Sequence, residues 1–553
     1  MENQRNLLVI SLIAISILLY IKWLEFIKPE VQEPTAQVEQ ADGLPTVGDS
    51  SVPVSTSNNQ VPGVVVPNAI ASDPAKLITV NTDLVVAIIN TQGGVIERLE
   101  LKKQPVEIDQ PANGVPLLKN TPKEIFVVED GLIIPGDKSE NVPNHQTAVY
   151  QTSKNSFDLG DSEQLIIPLT WTSESGQKFT KTITFNRDSY LVNIDYNVTN
   201  IGTSPLAVYQ YAQFKRTEPE DTGGGLTQLP SYTGGAIYEK EDKLNKVRFG
   251  DMSKKNVSQT TDNGWVAMMQ HYFVGVLIPG AGERTYYTSA SKNIYRIGYK
   301  TDEAITIQPG ETSRIGNQIF LGPKEQSRLD QIEKSLKLEG LSLTVDFGVL
   351  TIISKPLFWL LDLIFNIVGN WGWSIVITTC LIKLAFYPLS AKSYKSMAAM
   401  KKLQPRIKTL KERYKDDRQK FQMEMMAMYK KEKVNPAGGC LPILIQIPVF
   451  LAFYWALLES VEMRHAPFML WLQDLSAPDP LYVLPVLMGL TQFLMTKLNP
   501  APMDEMQKKV MMFMPLVLVI IFIGFPQGLV LYWVVNNILS MAQQWYINKK
   551  FGA

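Results

Sequence analysis

Cysteine is almost missing from this chain: of 553 residues only Cys380 and Cys440 are cysteine, and both lie in or beside long apolar runs. That leaves no basis for a disulfide framework or a zinc cluster. Histidine is nearly as rare, with His145, His271 and His465 far apart and no HExxH spacing. No metal or other cofactor is expected. No GxxxxGK[ST] run occurs either, so a nucleotide site of that kind is excluded. Net charge is also absent, 53 lysines and arginines balancing 53 acids, and specific recognition of nucleic acid is not expected. The long apolar runs hold essentially no carboxylate, which disfavours ion-coupled transport, and no serine–lysine or histidine pairing marks a nucleophile. The chain does not read as an enzyme.

What is present is unevenly distributed, over a length sufficient for two or three domains. Leu7–Leu24 is apolar over roughly the length that a ~30 Å hydrocarbon core requires. Arg5 precedes it and Lys22 and Trp23 stand at an interfacial position, so residues 1–27 read as a retained transmembrane anchor with a cytoplasmic N-terminus. A cleaved signal peptide competes with that reading, but no A-x-A-like site follows. Residues 28–77 are rich in Pro, Ser, Gln, Val and Thr without periodicity and read as a flexible linker. From 78 to 335 short alternating runs are separated by turn residues. Leu84–Ile89, the turn Thr91-Gln92-Gly93-Gly94 and Val95–Leu101 read as strand, turn, strand. Tyr190, Val192, Ile194, Tyr196 and Val198 alternate with polar residues as a half-buried strand does. Helical periodicity returns only around Lys324–Leu338. A large antiparallel β-sandwich outside the cytoplasm fits this stretch.

Residues 336–553 are membrane-like. Five runs read as spans: Trp373–Leu389, Leu441–Leu458, Leu481–Thr496, Val510–Phe525 and Leu529–Gln543. Val345–Val368 reads differently. Leu357, Leu360, Leu361, Ile364, Phe365 and Val368 share one helical face, with Lys355, Asp362 and Asn366 opposite, as in a helix lying in the membrane interface. If it spanned, the lysine-rich segment after the next span would fall outside the cell. With six spans in all, the fourteen lysines and arginines between Lys392 and Lys433 are cytoplasmic, facing only Glu412, Asp416, Asp417, Glu424 and Glu432. Lys497, Lys508 and Lys509 in the next loop, and Lys549 and Lys550 in the tail, agree with both termini inside.

Lys383 is the most informative residue, about ten positions and so roughly 15 Å into its span. An ionisable group at such depth usually faces protein or a water-filled cavity. Snorkelling toward the headgroups is the alternative. Thr379, Lys383, Tyr387 and Ser390 form one polar stripe. The last span repeats the pattern with Trp533, Asn537, Ser540 and Gln544, flanked by Tyr532 and Asn536, and Gln446 and Gln492 add polar groups in two further spans. Singly, such residues are more often interhelical glue. Together they read as the lining of a shared wet cavity.

Between the first two spans of this core, residues 391–435 have coiled-coil spacing at Met400, Leu403, Ile407, Leu410 and Tyr414, then at Phe421, Met425 and Met428. This predicts an antiparallel helical hairpin around Lys415-Asp416-Asp417, with Pro405 kinking or restarting its first helix. Met397, Met423 and Met426 fall off the seam, beside Arg406 and Arg413. Such a hairpin is either an ordinary solvated element or a docking arm for nascent chains, ribosome or anionic lipid.

Several segments resemble one family, the YidC/Oxa/Alb membrane protein insertases. They are Gly369-Asn370-Trp371-Gly372-Trp373-Ser374 through Tyr387-Pro388-Leu389, Leu403-Gln404-Pro405-Arg406-Ile407, and Lys433-Val434-Asn435-Pro436-Ala437-Gly438-Gly439-Cys440. Gln446-Ile447-Pro448, Asp474-Leu475-Ser476-Ala477-Pro478-Asp479-Pro480 and Phe525-Pro526-Gln527-Gly528-Leu529-Val530-Leu531-Tyr532-Trp533 continue the match. The anchor and β domain resemble the Gram-negative form. The resemblance implies a bacterial inner-membrane protein whose five-span core surrounds a hydrophilic groove open to cytoplasm and lipid. It implies insertion of nascent hydrophobic proteins into the bilayer, alone or beside the Sec translocon, with ribosome or targeting factors at the cytoplasmic face. The family's groove cation is usually arginine; Lys383 stands at the matching position and keeps the charge without the planar fork of donors. Thr379 and Trp533 match substrate-contacting positions. The β domain resembles a sugar-binding super-sandwich, although nothing in its sequence marks a sugar site. Two other classes stay open: a transporter or lipid flippase using the same cavity, recognised by directional solute uptake, and an envelope assembly or sugar-binding protein acting through the β domain, recognised by loss of activity on deleting it.

Overall fold

The computed structural model describes residues 75–134, 141–219, 231–241, 243–415, 417–432, 441–498 and 505–551. The anchor expected over 1–27 and nearly all of the linker expected over 28–77 lie outside them.

Two sheets form the N-terminal half, one of eleven and one of eight strands among the described residues, antiparallel except where Leu77–Asn81 pairs with Ser156–Asp158. Alternation drives their formation. In Leu191–Thr199 the residues Val192, Ile194, Tyr196 and Val198 are buried while the intervening ones are not. The second hairpin pairs Val85–Asn90 with Val95–Pro105. Its turn needs glycine: Gly93 and Gly94 sit at φ +70° and +60°, and a Cβ on Gly93 would stand 2.4 Å from the His145 carbonyl oxygen. The inner faces of both sheets share one apolar core, to which Leu99 and Val128 contribute from one side and Phe179, Ile183 and Ile194 from the other. Burying these faces is the main favourable term in the domain's stability.

A charge pair crosses that core. Lys181, fully buried, donates to Asp130 Oδ1 at 2.6 Å and to the Gly94 carbonyl at 2.9 Å. Asp130 Oδ2 accepts from the Tyr196 hydroxyl at 2.7 Å. Burial pushes the Lys181 ammonium down from the usual lysine range, and Asp130 opposes that. A buried pair so fully satisfied adds little net stability, but removing one partner strands the other.

Helix α1, Gln326–Leu336, leads from the sheets to the helical region. The junction is polar. Lys324 and Glu459, each about 1% exposed, stand 3.6 Å apart, an ion-pair distance too long for a hydrogen bond. His271 Nε2 contacts the Leu458 carbonyl at 2.9 Å, and the Gln326 N–H donates to Glu462 Oε1 at 3.1 Å. Burial holds both the Glu459 and Glu462 carboxyls up at about 7. Burial, with Lys324 nearby, holds the His271 imidazole down at about 4.

Eight longer helices follow among the described residues: α2 Thr351–Val368, α3 Trp371–Ala385, α4 Tyr387–Arg413, α5 Arg418–Lys431, α6 Leu441–Leu458, α7 Val483–Leu498, α8 Glu505–Phe522 and α9 Gln527–Phe551. Among the residues whose side chains are described, α2 is the one helix long and apolar enough by length and composition to cross a bilayer unaided; α3 and α4, bent by 66° at their junction, pass together. Shorter apolar helices are Gln446–Leu458, Val483–Leu498 and Lys509–Phe522. On α2 the buried side is Ser354, Phe358, Leu361 and Ile364. Val368, which the periodicity puts on the same face, is exposed at the last turn, where Gly369 at φ +69° ends the helix. Ile352, Trp359 and Ile367 face outward beside Lys355 and Asn366. Helix α8 exposes Phe513, Leu516, Val517 and Ile520. A contiguous apolar face of that kind marks contact with lipid or protein.

Candidate substrate groove

The family-like motifs turn out to pin helix ends together. Asn370 caps α3, its Oδ1 accepting from the Trp373 N–H at 3.0 Å, and its Nδ2 reaches the Pro467 and Phe468 carbonyls at 3.2 Å. Trp371 stacks on Phe365 with centroids 4.2 Å apart. Gly372 is required because a Cβ there would lie 2.1 Å from the Phe468 ring. Asp479 caps α7, accepting from the Leu481 and Leu484 N–H groups and from Trp471 Nε1. The loop it belongs to meets the start of α9: Gln527 N–H donates to the Ala477 carbonyl at 2.8 Å and Gly528 N–H to that of Leu475 at 2.9 Å.

Held this way, α3, α6, α7 and α9 converge polar side chains. Lys383, in the last turn of α3, donates to Ser540 Oγ on α9 at 2.7 Å and lies 3.5 Å from Gln446 Oε1 on α6. Ser540 in turn donates to the Asn536 carbonyl at 2.7 Å. Asn537 Nδ2 donates to Thr491 Oγ1 on α7 at 3.1 Å. Among the described residues Lys383 has no carboxylate partner; its ammonium is held by a hydroxyl and an amide alone. The C-terminal end of α3 favours a cation at this position. Leu381 and Leu384 on the same turn face outward.

The remaining groove candidates are more varied. Thr379 is buried, but its hydroxyl donates to the Ile375 carbonyl of its own helix at 2.6 Å. Tyr532 is buried, its ring 4.5 Å from that of Phe453. Trp533 meets Phe450 edge-on at 4.5 Å, and its Nε1 is buried without a hydrogen-bond partner among the described residues. Gln492 is half-buried, and the structure brings its neighbour Thr491, rather than Gln492, to α9. Thr491 is not among the residues the sequence singles out, although Leu484, Met488 and Thr491 follow helical spacing and are all buried.

Helices α4 and α5 carry the hairpin. Leu403, Ile407 and Tyr429 form a small core of their own, with Phe421, Met425 and Met428 packed on it. Tyr429 is the seam residue that the spacing had not supplied. Met400 is buried, Met423 and Met426 are exposed, and Arg413 points outward. Arg406 pairs with Glu432 at 2.9 Å on the surface. Helix α4 continues through Pro405 without a break in its assigned span.

Residues 363–553 match the 60Kd inner membrane protein family, and residues 77–360 match the YidC periplasmic domain family. A membrane protein insertase YidC of Methylobacillus flagellatus is 45% identical over 94% of this chain and 93% of its own length. This decides the family. The chain belongs to the YidC membrane protein insertases. Another insertase of that name, from Nitrosococcus oceani, is 42% identical over 100% of this chain and 99% of its own. Among solved structures, an active YidC insertase with its first transmembrane domain resolved aligns over 86% of this chain and 93% of its own, at 18% identity and a TM-score of 0.40. As in that family, a β-rich domain, matched by the periplasmic-domain description, precedes a C-terminal helical region of the inner-membrane description.

Proposed function

We propose that this protein inserts and folds inner-membrane proteins, and that Lys383 receives acidic residues of the segment being translocated. The observation that carries the reading is the Lys383 ammonium, held only by Ser540 and Gln446 inside a helical bundle whose outer faces are apolar. A charge left without a counter-charge in a poorly hydrated site attracts one from outside. In this reading the N-terminal anchor and α3, α6, α7, α8 and α9 span the membrane, α2 lies in the interface, and both termini are cytoplasmic. The polar groups of Lys383, Gln446, Asn537 and Ser540 then shorten the apolar path that a polar loop crosses. Thr379, Tyr532, Trp533 and Gln492 border the same groove. Substrate helices leave along exposed apolar faces, driven by burial worth about 25 cal/mol per Å² in lipid, and the membrane potential aids acidic or basic loops according to sign. The hairpin of α4 and α5 docks nascent chains, ribosome or anionic headgroups through Arg406, Arg413 and the exposed methionines. The protein works alone or beside the Sec translocon.

The test is synthesis of a small two-span substrate in the presence of liposomes containing only this purified protein. Protease protection well above that of empty liposomes is the expected result. Protection equal to that of empty liposomes, with the protein shown to be folded, contradicts autonomous insertion; directional solute uptake in the same vesicles would replace the reading with transport.

A further inference from the structure

The loop between α6 and α7 is built inside out for a segment surrounded by water. Residues 466–482 carry two charged side chains, Asp474 and Asp479, and both are spent on hydrogen bonds within the fold. Asp474 Oδ1 accepts from the His465 and Ser476 N–H groups at 3.0 and 2.9 Å and from the Ser476 hydroxyl at 2.7 Å. Asp479 is buried as the cap of α7. The apolar side chains divide into two sets. Leu472 and Leu475 are buried, and Phe468 and Trp471 pack on the core. Met469, Leu470, Leu481 and Tyr482 stand outside, Leu470 at 74% exposure. The exposed amide of Gln473 is turned back on the loop, donating to the Leu470 carbonyl at 2.6 Å.

The tip is held in this state. The Phe468 N–H donates to the Leu472 carbonyl at 2.8 Å and the Leu472 N–H to that of Met469 at 3.1 Å, closing a tight turn around Leu470. Leu470 sits at φ +55° and Tyr482 at φ +56°, a backbone conformation that large side chains rarely adopt. Such strain persists where surrounding contacts over-determine it, and it clusters where a segment has work to do. Here it keeps two large side chains away from the core. A loop that met only water would gain by turning its acids out and Leu470 in.

Position says what covers the tip. Leu481 and Tyr482 run directly into α7, whose outward residues Val486, Leu487 and Leu490 continue the same apolar exposure. On its other side the loop is pinned to Asn370 at the start of α3, where the exposed Trp373 meets Phe468 edge-on at 5.4 Å. Trp and Tyr rings favour the level at which hydrocarbon meets headgroups. An uncharged tip, flanked by two such rings and continuous with a lipid-facing helix, matches that boundary. We propose that Met469, Leu470, Leu481 and Tyr482 form a wedge immersed in the phospholipid leaflet on the side away from the α4–α5 hairpin. This rests on the membrane placement of α6 and α7 given under Proposed function. The loop also bonds Gln527 and Gly528 at the start of α9, so the wedge fixes the depth at which α3, α7 and α9 begin.

The experiment uses the full chain in phospholipid nanodiscs, with Cys380 and Cys440 replaced by serine. A single fluorescent label is attached in turn to Leu470→Cys, to Leu490→Cys in the middle of α7, and to Lys178→Cys on the exposed surface of the β domain, three exposed positions. Quenching is measured with aqueous iodide and with phospholipids that carry a nitroxide near the headgroup. Iodide quenching at Leu470→Cys is expected to be at least about tenfold weaker than at Lys178→Cys, the ratio for a group that prefers lipid by about 1.4 kcal/mol. The nitroxide lipid is expected to quench Leu470→Cys strongly and Lys178→Cys not at all. Iodide quenching at Leu470→Cys equal to that at Lys178→Cys, with Leu490→Cys protected, overturns the wedge and leaves the membrane placement standing. Iodide quenching of Leu470→Cys and Leu490→Cys together overturns both. Protection of Leu470→Cys from iodide and nitroxide alike overturns the wedge in favour of a protein cover.

Discussion

Two lysines, one fully buried and one half-buried, sit in the two halves of this molecule, and they are treated differently. Lys181 in the β domain has a carboxylate at 2.6 Å, a backbone carbonyl at 2.9 Å and no exposure. Lys383 in the helical core has a serine hydroxyl at 2.7 Å and a glutamine oxygen at 3.5 Å. The first is neutralised within the fold and links two sheets. The second keeps an uncompensated charge, and polar side chains merely steady it. A charge whose counter-charge is built into the fold is structure; one left without it is open to a counter-charge from outside, which is the role proposed for Lys383. The junction between the halves shows both arrangements side by side, with Glu459 facing Lys324 and Glu462 facing only backbone.

The comparison breaks first at Lys181. Lys181→Met leaves Asp130 buried and unpaired, and chemical unfolding of the β domain should show a loss of about 3–5 kcal/mol. Lys181→Met/Asp130→Leu should recover most of it. If the single substitution costs nothing, the pair is not what satisfies Asp130. Glu462 comes next. Its carboxyl is raised by burial from the ordinary 4.5 to about 7. The folded protein thus holds this proton better than the unfolded chain, and stability falls as pH climbs from about 4.5 to 7. Glu462→Gln removes that slope, leaving thermal stability unchanged near pH 4.5 and raising it by about 3 kcal/mol at pH 8. His271, lowered to about 4, gives an opposite slope between 4 and 6.5, so the difference between variant and parent is the readout. Ser540→Ala frees the Lys383 ammonium and should cost about 1 kcal/mol of stability, with insertion of acidic-loop substrates changed only a few-fold. The smallest effect belongs to Arg406→Ala, whose exposed pair with Glu432 is worth under about 1 kcal/mol. Weakened docking at the hairpin with unchanged unfolding would separate its surface role from its fold.

How much could be read in advance follows from the range of the interactions. The hairpin seam at Leu403, Ile407, Phe421, Met425 and Met428 is a local helical repeat, and the structure packs those residues together. The strands around Gly93-Gly94 and Tyr190–Val198 came from alternation and turn chemistry in the same way. Lys383 and Ser540 were each visible as polar residues in apolar runs, but their contact spans 157 positions and no periodicity encodes it. Gln492 is the more polar residue, but helical phase puts its neighbour Thr491 on the buried face with Leu484 and Met488. Lys181, Asp130, Lys324 and Glu459 left no signal, since a charged residue in an alternating strand or at a helix end reads as solvated until its long-range partner is known.

The most direct test of the central claim is a charge exchange across the groove. Two-span substrates that differ only in the sign of their translocated loop, acidic or basic, are presented to the parent protein and to Lys383→Glu in liposomes, and protease protection is measured. If Lys383 acts as the receiving charge, the parent protects the acidic loop at least about tenfold better than Lys383→Glu does, a difference near 1.4 kcal/mol, and the order reverses for the basic loop. Equal protection of both loops by both proteins would contradict the account, and would leave Lys383 a structural lysine like Lys181.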